Sequence, residues 1–222
     1  MTGADASPNL ERPDAFSLAL NFVPALHILC GAWLGLGVAD SPAAGAAVFL
    51  IWLYLAPPFC GRLLIALFGR PEGRLTQDMR TYRVWWALTQ LQIVFNRLPW
   101  LEELLRLFPG VYAAWIWLWG GRLSSFAYVG PGVLITDRHA VNVERGAVLG
   151  LRSILAGHLA SRDGAGRFVV IAAAPTVESE AILGGLSALG PGAILRAGCM
   201  LPTGRHVGPM AEWPRRKEGA AA

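Results

Sequence analysis

An α + β protein is predicted: N-terminal transmembrane and interfacial helices, followed by a parallel β-helix of hexapeptide repeats. Three observations lead there. Two uncharged stretches near the N-terminus are each about as long as a helix needs to be to cross a bilayer. From Leu75 to Leu98 apolar residues recur at helical spacing. Toward the C-terminus an aliphatic residue returns every six positions, at Leu189, Leu195, Leu201 and Val207, whereas helices repeat near 3.6 residues and strands near 2.

Composition narrows the classes. The 222 residues suit one large domain or two small ones. With 54% hydrophobic and 15% charged residues the chain is too apolar for an ordinary soluble domain. A net charge of +4, with no lysine run following a nucleic-acid motif, gives no reason to expect nucleic acid as a partner. Cys30, Cys60 and Cys199 lack CxxC spacing and do not cluster with histidine. Neither disulfides nor a metal centre is expected, and a reducing cytosolic face fits better than secretion.

Residues 1–14 form a tail with only Arg12 among Asp5, Glu11 and Asp14. That charge pattern, before so long an apolar stretch, argues against a secretory signal. Residues 15–70 form a transmembrane helical hairpin, from "AFSLALNFVPALHILCGAWLGLGVA" (15–39) and "SPAAGAAVFLIWLYLAPPFCG" (41–61), with a tight turn at Asp40 and Pro42. Pro57-Pro58 is expected to kink the second span or end it early. Both stretches are apolar on every face, which favours lipid over the alternative of a buried hairpin in a soluble protein. Arg62, Arg70, Arg74, Arg80 and Arg83 all follow the spans, and the turn between them has no arginine. The positive-inside rule then puts both ends on the cytoplasmic face of the inner membrane.

Residues 75–120 read as amphipathic, interfacial helices. Val84, Leu88, Leu91, Phe95 and Leu98 share a face. Trp85 and Trp86 suit the headgroup level, or else the core of a helical bundle. Pro99 stops this helix, and "WLEELLRLF" begins another with Glu102 and Glu103 in its first turn, where the helix dipole favours acids. "PGVYAAWIWLWGG" is short for a span, so it lies on the membrane or packs against the hairpin.

Residues 121–210 carry the repeat. The aliphatic phase runs through Ile171, Val177, Leu183 and onward, and upstream through Val129, Ile135 and Val141. It weakens from 144 to 170, where Ala147 and Ser153 hold the aliphatic slots. Glycine often follows the aliphatic position (Gly130, Gly184, Gly190, Gly208). A small residue often sits four further on (Ala181, Ser187, Ala193, Cys199). This is the hexapeptide pattern of a parallel β-helix, three hexads to a triangular coil. Stacked coils exchange the backbone hydrogen bonds that a lone strand leaves open. The density of Gly and Pro excludes one long helix. "SRDGAGR" reads as a loop leaving the coil, a common setting for chemistry. Residues 211–222 form a basic tail with Trp213, Arg215, Arg216 and Lys217, suited to anionic lipid or to solvent.

Residues 121–208 resemble the hexapeptide-repeat acyltransferases, through "WIWLWGG", "GVLITDR" and "ILAGHLASRDG". The resemblance leaves the hydrophobic half unexplained. It implies a left-handed parallel β-helix and a homotrimer with active sites between neighbouring prisms. It also implies an acyl-CoA or acyl-carrier thioester donor, a hydroxyl or amine acceptor, and a histidine general base. Such a base takes the proton of a weak nucleophile during attack.

His158, just before the polar loop, matches the histidine of that pattern. From the residues alone, a surface histidine at a coil corner explains it as well. His139, about one coil earlier, is a partner or second base, or a strained corner. Asp163 is expected to position a histidine or acceptor, or to be solvated. Asp137 and Arg138 read as structural ion-pairing residues that pair with coil neighbours, Cys199 as a packed thiol, and His206 as solvated. His27, inside the first span, is explained by one hydrogen bond to a backbone carbonyl or to Tyr54.

The reading is a membrane-anchored acyltransferase with membrane lipid as a partner. The alternatives are a tethered non-catalytic scaffold and a zinc lyase. The lyase needs three histidines on zinc, and the spacings here do not suit it.

Overall fold

The computed structural model describes residues 14–215. The tail expected before Asp14, and Arg216 and Lys217 of the basic tail, lie outside the described residues.

The helical half opens with α1 (Ala15–Leu20), capped by Asp14, whose carboxylate accepts from the Ser17 amide at 2.7 Å. After a break at Asn21–Phe22 come α2 (Val23–Val38) and α3 (Pro42–Phe68). The Ser41 hydroxyl caps α3 by accepting from the Ala44 amide. Residues 15–38 and 42–68 are long and apolar enough to cross a membrane. Trp33 is 72% exposed and Leu36 87%, so the outward apolar faces of this pair find no cover among the described residues. The two helices touch at Gly35 and Gly45. A Cβ on either would come within 2.6 or 2.7 Å of the other's carbonyl oxygen.

Of the two outcomes expected for Pro57 and Pro58, an early end to the helix does not occur; both lie inside α3, buried. A proline offers no amide to the carbonyl four residues earlier. Behind Pro58 another group takes that carbonyl: the Trp115 indole N–H donates to the Tyr54 carbonyl at 2.8 Å. The Tyr54 hydroxyl, one of the partners expected for His27, donates to the Leu101 carbonyl.

Three more helices follow: α4 (Arg80–Arg97), α5 (Trp100–Arg106) and α6 (Val111–Trp119). Trp85 does not reach an outer surface; it is only 4% exposed and packs with Tyr82, Leu75 and Val170. On the same helix Leu88 packs beside Gly61 of α3, and Phe95 meets the Trp115 ring of α6. α6 turns Trp115, Ile116 and Trp119 inward and leaves Trp117 exposed.

The C-terminal half is a parallel β-helix of about five coils, matching the left-handed fold. Two-residue strands stack into three parallel sheets of five, four and four strands. The second residue of most strands points into the prism: Ile135, Val143, Leu149, Leu155, Val177, Leu183, Leu189, Leu195 and Leu201 are all buried. Val177 pairs with Leu195, Leu183 with Leu201 and Leu189 with Val207, each eighteen residues apart.

Two intervals depart from eighteen. Leu123 to Val143, Val129 to Leu149 and Ile135 to Leu155 are each twenty residues apart. Val143 to Val177, Leu149 to Leu183 and Leu155 to Leu189 are each thirty-four. Two extra residues therefore enter after Ile135, and sixteen after Leu155. This corrects the expected phase. Val141 closes an enlarged corner, Ala147 and Ser153 fill the small corner slots, and Ile171 belongs to a hairpin strand outside the coil.

Candidate functional site

Both insertions fall at the same corner of the prism, one coil apart. The first enlarges residues 136–141. The second expels a hairpin of strands His158–Arg162 and Phe168–Ala172, and strand Gly73–Leu75 joins it as a third antiparallel strand. The hairpin is more than a loose loop. Val170 is fully buried, and with Leu75, Tyr82 and Trp85 it makes a second small core.

Stacking these corners puts Asp137 beneath Gly157. A Cβ at Gly157 would sit 2.6 Å from that of Asp137, so only glycine lets the two coils approach here. The next residue, His158, points its Nδ1 at Asp137 Oδ2 at 2.7 Å. The Thr136 hydroxyl donates to the same carboxylate oxygen at 2.6 Å and accepts from the Gly157 amide at 3.2 Å. The Asp137 side chain is 2% exposed and that of His158 27%. Trp85 meets the imidazole edge-on, with ring centroids 5.1 Å apart.

Burial pulls the His158 pKa down, but the hydrogen bond and charge of Asp137 outweigh it and leave the imidazole above its ordinary value. Burial would also raise Asp137, and the bond and charge of His158, with help from His139 and Thr136, hold it below the usual carboxylate range. With Nδ1–H given to the carboxylate, the neutral ring keeps its lone pair on Nε2.

His139 lies on the same corner, buried. Desolvation, reinforced by Arg70, His158 and Arg138 against the pull of Asp137, drives its pKa down to about 4. It is neutral near pH 7, and its Nδ1 faces the Gln92 amide nitrogen at 3.3 Å. Gln92 also donates to the Leu88 carbonyl and accepts from the Arg138 amide at 2.6 Å, so its polar atoms are fully engaged.

Arg138 is buried completely and reaches away from the dyad. Its guanidinium pairs with Glu102 and donates to Asn96 at 2.9 Å. The other Glu102 oxygen accepts from Tyr112 and Arg106. Asp137 thus pairs with His158 of the neighbouring coil, and Arg138 with Glu102 of α5.

Asp163 stands at the far end of the hairpin. Its carboxylate binds Arg167 at 2.9 Å and Arg74 at 3.0 Å, and accepts from the amides of Ala165 and Arg167. Five extended residues separate it from His158, roughly 16 Å. The structure thus puts His158 and His139 on one corner and leaves Asp163 holding the turn. Sequence reading missed Thr136 and Gln92 and gave Trp85 and Glu102 other roles. Among the described residues, no group of three or more His, Cys, Asp or Glu side chains is placed to hold a metal ion.

No protein-family model matches this chain. No curated protein matches it either. Solved structures similar to it include a serine acetyltransferase in complex with CoA, at 12% identity and TM-score 0.29, covering 90% of this chain and 84% of that one. Another is serine acetyltransferase isoform 3 from Entamoeba histolytica in complex with cysteine, at 8% identity and TM-score 0.23, covering 96% and 85%. A third is the serine acetyltransferase of Neisseria gonorrhoeae, at 13% identity and TM-score 0.23, covering 87% and 75%.

Proposed function

We propose that the chain is a membrane-anchored acyltransferase in which His158 is the general base. It moves an acyl group from a thioester, acyl-CoA or acyl carrier, to a hydroxyl or amine of a lipid-linked or small-molecule acceptor. The Asp137–His158 pair carries this reading. A buried carboxylate that fixes the tautomer and stabilises the imidazolium is what a general base needs. Nε2 takes the acceptor proton as its oxygen or nitrogen attacks the thioester carbon. The C–S bond then breaks, and the imidazolium returns the proton to the leaving thiolate. His139 and Gln92 are positioning residues that hold the corner, and Asp163 holds the hairpin.

The outward apolar faces of the two long helices support placement in the inner membrane with the β-helix in the cytoplasm. The arginines after the second span support that side. An exposed apolar column supports a homotrimer. Tyr128, Val148, Ile182 and Met200 stack in register on one outer face, and Tyr128 and Met200 stay about three-fifths exposed, at 61% and 58%.

The deciding experiment is acyl transfer by detergent-purified protein, with a panel of acyl-CoA donors and membrane lipid extract. His158→Ala should abolish transfer while the oligomer stays intact. Unchanged transfer would sink the catalytic reading and favour a tethered scaffold.

A further inference from the structure

A cavity of about 370 Å³ opens between the end of α3, the end of α6 and the first rung of the β-helix. Arg62, Arg70 and Arg122 line it, with Ile65, Trp117 and Trp119 as apolar wall. We propose that this cavity binds the phosphate diester of an anionic phospholipid headgroup.

Charge is the first argument. Among the described residues no carboxylate lies within ion-pair distance of Arg62 or Arg122, and Glu72 approaches Arg70 only to 3.9 Å. Three guanidinium groups around one hollow, so weakly compensated, favour an anion.

The donors are held in place and only partly used. Arg62 lies over the Trp117 ring, 4.6 Å from its centroid, and donates one N–H to the Trp117 carbonyl. Arg70 donates to the Gly120 carbonyl at 2.8 Å and to the His139 carbonyl. Each guanidinium has five N–H donors in a planar fork suited to phosphate, so both retain unused ones. Satisfying the carbonyls at the end of α6 accounts for one bond from each arginine. It does not account for Arg122 or for the hollow.

Depth is the third argument, and it rests on the reading that α3 crosses the bilayer. The cavity then lies where the second span leaves the hydrocarbon, at the level of cytoplasmic-leaflet phosphates. Leu63 and Leu67, exposed at the same end of α3, offer a surface for acyl chains. Arg70 also ties the cavity to the catalytic corner, since it holds the carbonyl of His139.

The test is native mass spectrometry of the full chain in detergent, titrated with phosphatidylglycerol or phosphatidylcholine. Wild type should retain phosphatidylglycerol preferentially. Arg62→Gln with Arg122→Gln should lose about fivefold in affinity for each arginine removed. The Arg62→Lys/Arg122→Lys protein, which keeps the charge, should retain the preference. Equal retention of both lipids by wild type, or an unchanged preference in the Gln double variant, overturns the proposal. Inorganic phosphate is the second probe. Binding of phosphate to lipid-free protein without any phosphatidylglycerol preference assigns the cavity to a soluble phosphate and overturns the lipid assignment. His158→Ala should keep the lipid preference. A wild-type protein inactive in acyl transfer but selective for phosphatidylglycerol refutes the transferase and leaves this site standing.

Discussion

Asp137 and His158 are 21 positions apart in the chain, yet their side chains meet at 2.7 Å. The contact depends on two coils being forced together at one corner, with Gly157 as the point of closest approach. A buried carboxylate and a partly open imidazole in that relation behave as one proton-handling unit.

Asp137→Asn tests the unit. Without the charge, burial alone acts on His158, and its pKa should fall below the ordinary 6.5 instead of lying above it. The acid limb of the kcat/KM profile should move to lower pH, and the rate should drop by about 10²-fold or more. An unmoved limb excludes Asp137 as the partner of the base.

The same pair sets a pH window for stability. The raised His158 pKa contributes stability that is fully present below 6.5 and is lost as pH rises through the folded value. The depressed Asp137 pKa contributes stability present above 3.8 and lost as pH falls through its folded value. The melting difference between wild type and Asp137→Asn should peak between those limits and shrink on either side.

Arg138→Met should destabilise the protein by about 3–5 kcal/mol, because it leaves the Glu102 carboxylate buried beside fewer donors. Adding Glu102→Gln should recover part of that loss. Thermal melts in detergent measure both, and a double variant no more stable than Arg138→Met argues that packing, not charge, sets the cost.

Trp115→Phe removes the donor that serves the Tyr54 carbonyl, at a cost of about 1–3 kcal/mol. In a Pro58→Ala background the new amide can serve that carbonyl, so the same substitution should cost less by about 1 kcal/mol. Equal costs in the two backgrounds would show that the indole matters only for its bulk.

Ile182→Glu or Met200→Glu should break the proposed trimer into monomers without melting the coil, since both side chains are exposed on the stacked sheet. Mass determination by light scattering reads this directly, and a persistent trimer removes that face as the interface.

The architecture was legible because its periods are physical. An inward residue every six positions and a span of uncharged residues each report a repeating environment. The site was less legible because it is built from breaks in the period. A two-residue slip after Ile135 moved the true inward positions to Val143, Leu149 and Leu155. The next aliphatic residues therefore looked out of phase, and Ala147 and Ser153 looked like poor substitutes. That slip was the available signal for Thr136 and Asp137. The partners on α4 and α5 left none: Gln92 and Glu102 occupy ordinary helical positions, and nothing local says that a distant corner will reach them. Nor could the continuation of α3 past Pro57-Pro58 be read locally, since the donor to the Tyr54 carbonyl comes from Trp115, far along the chain.

Each rung of the column answers only to the rung above and the rung below. Chain added at a corner is therefore invisible to the ladder. Such a column can gain or shed chemistry along one edge while its interior stays untouched, and grafting this corner onto a plain column asks that the rungs keep their count and that Gln92 and Glu102 come with it.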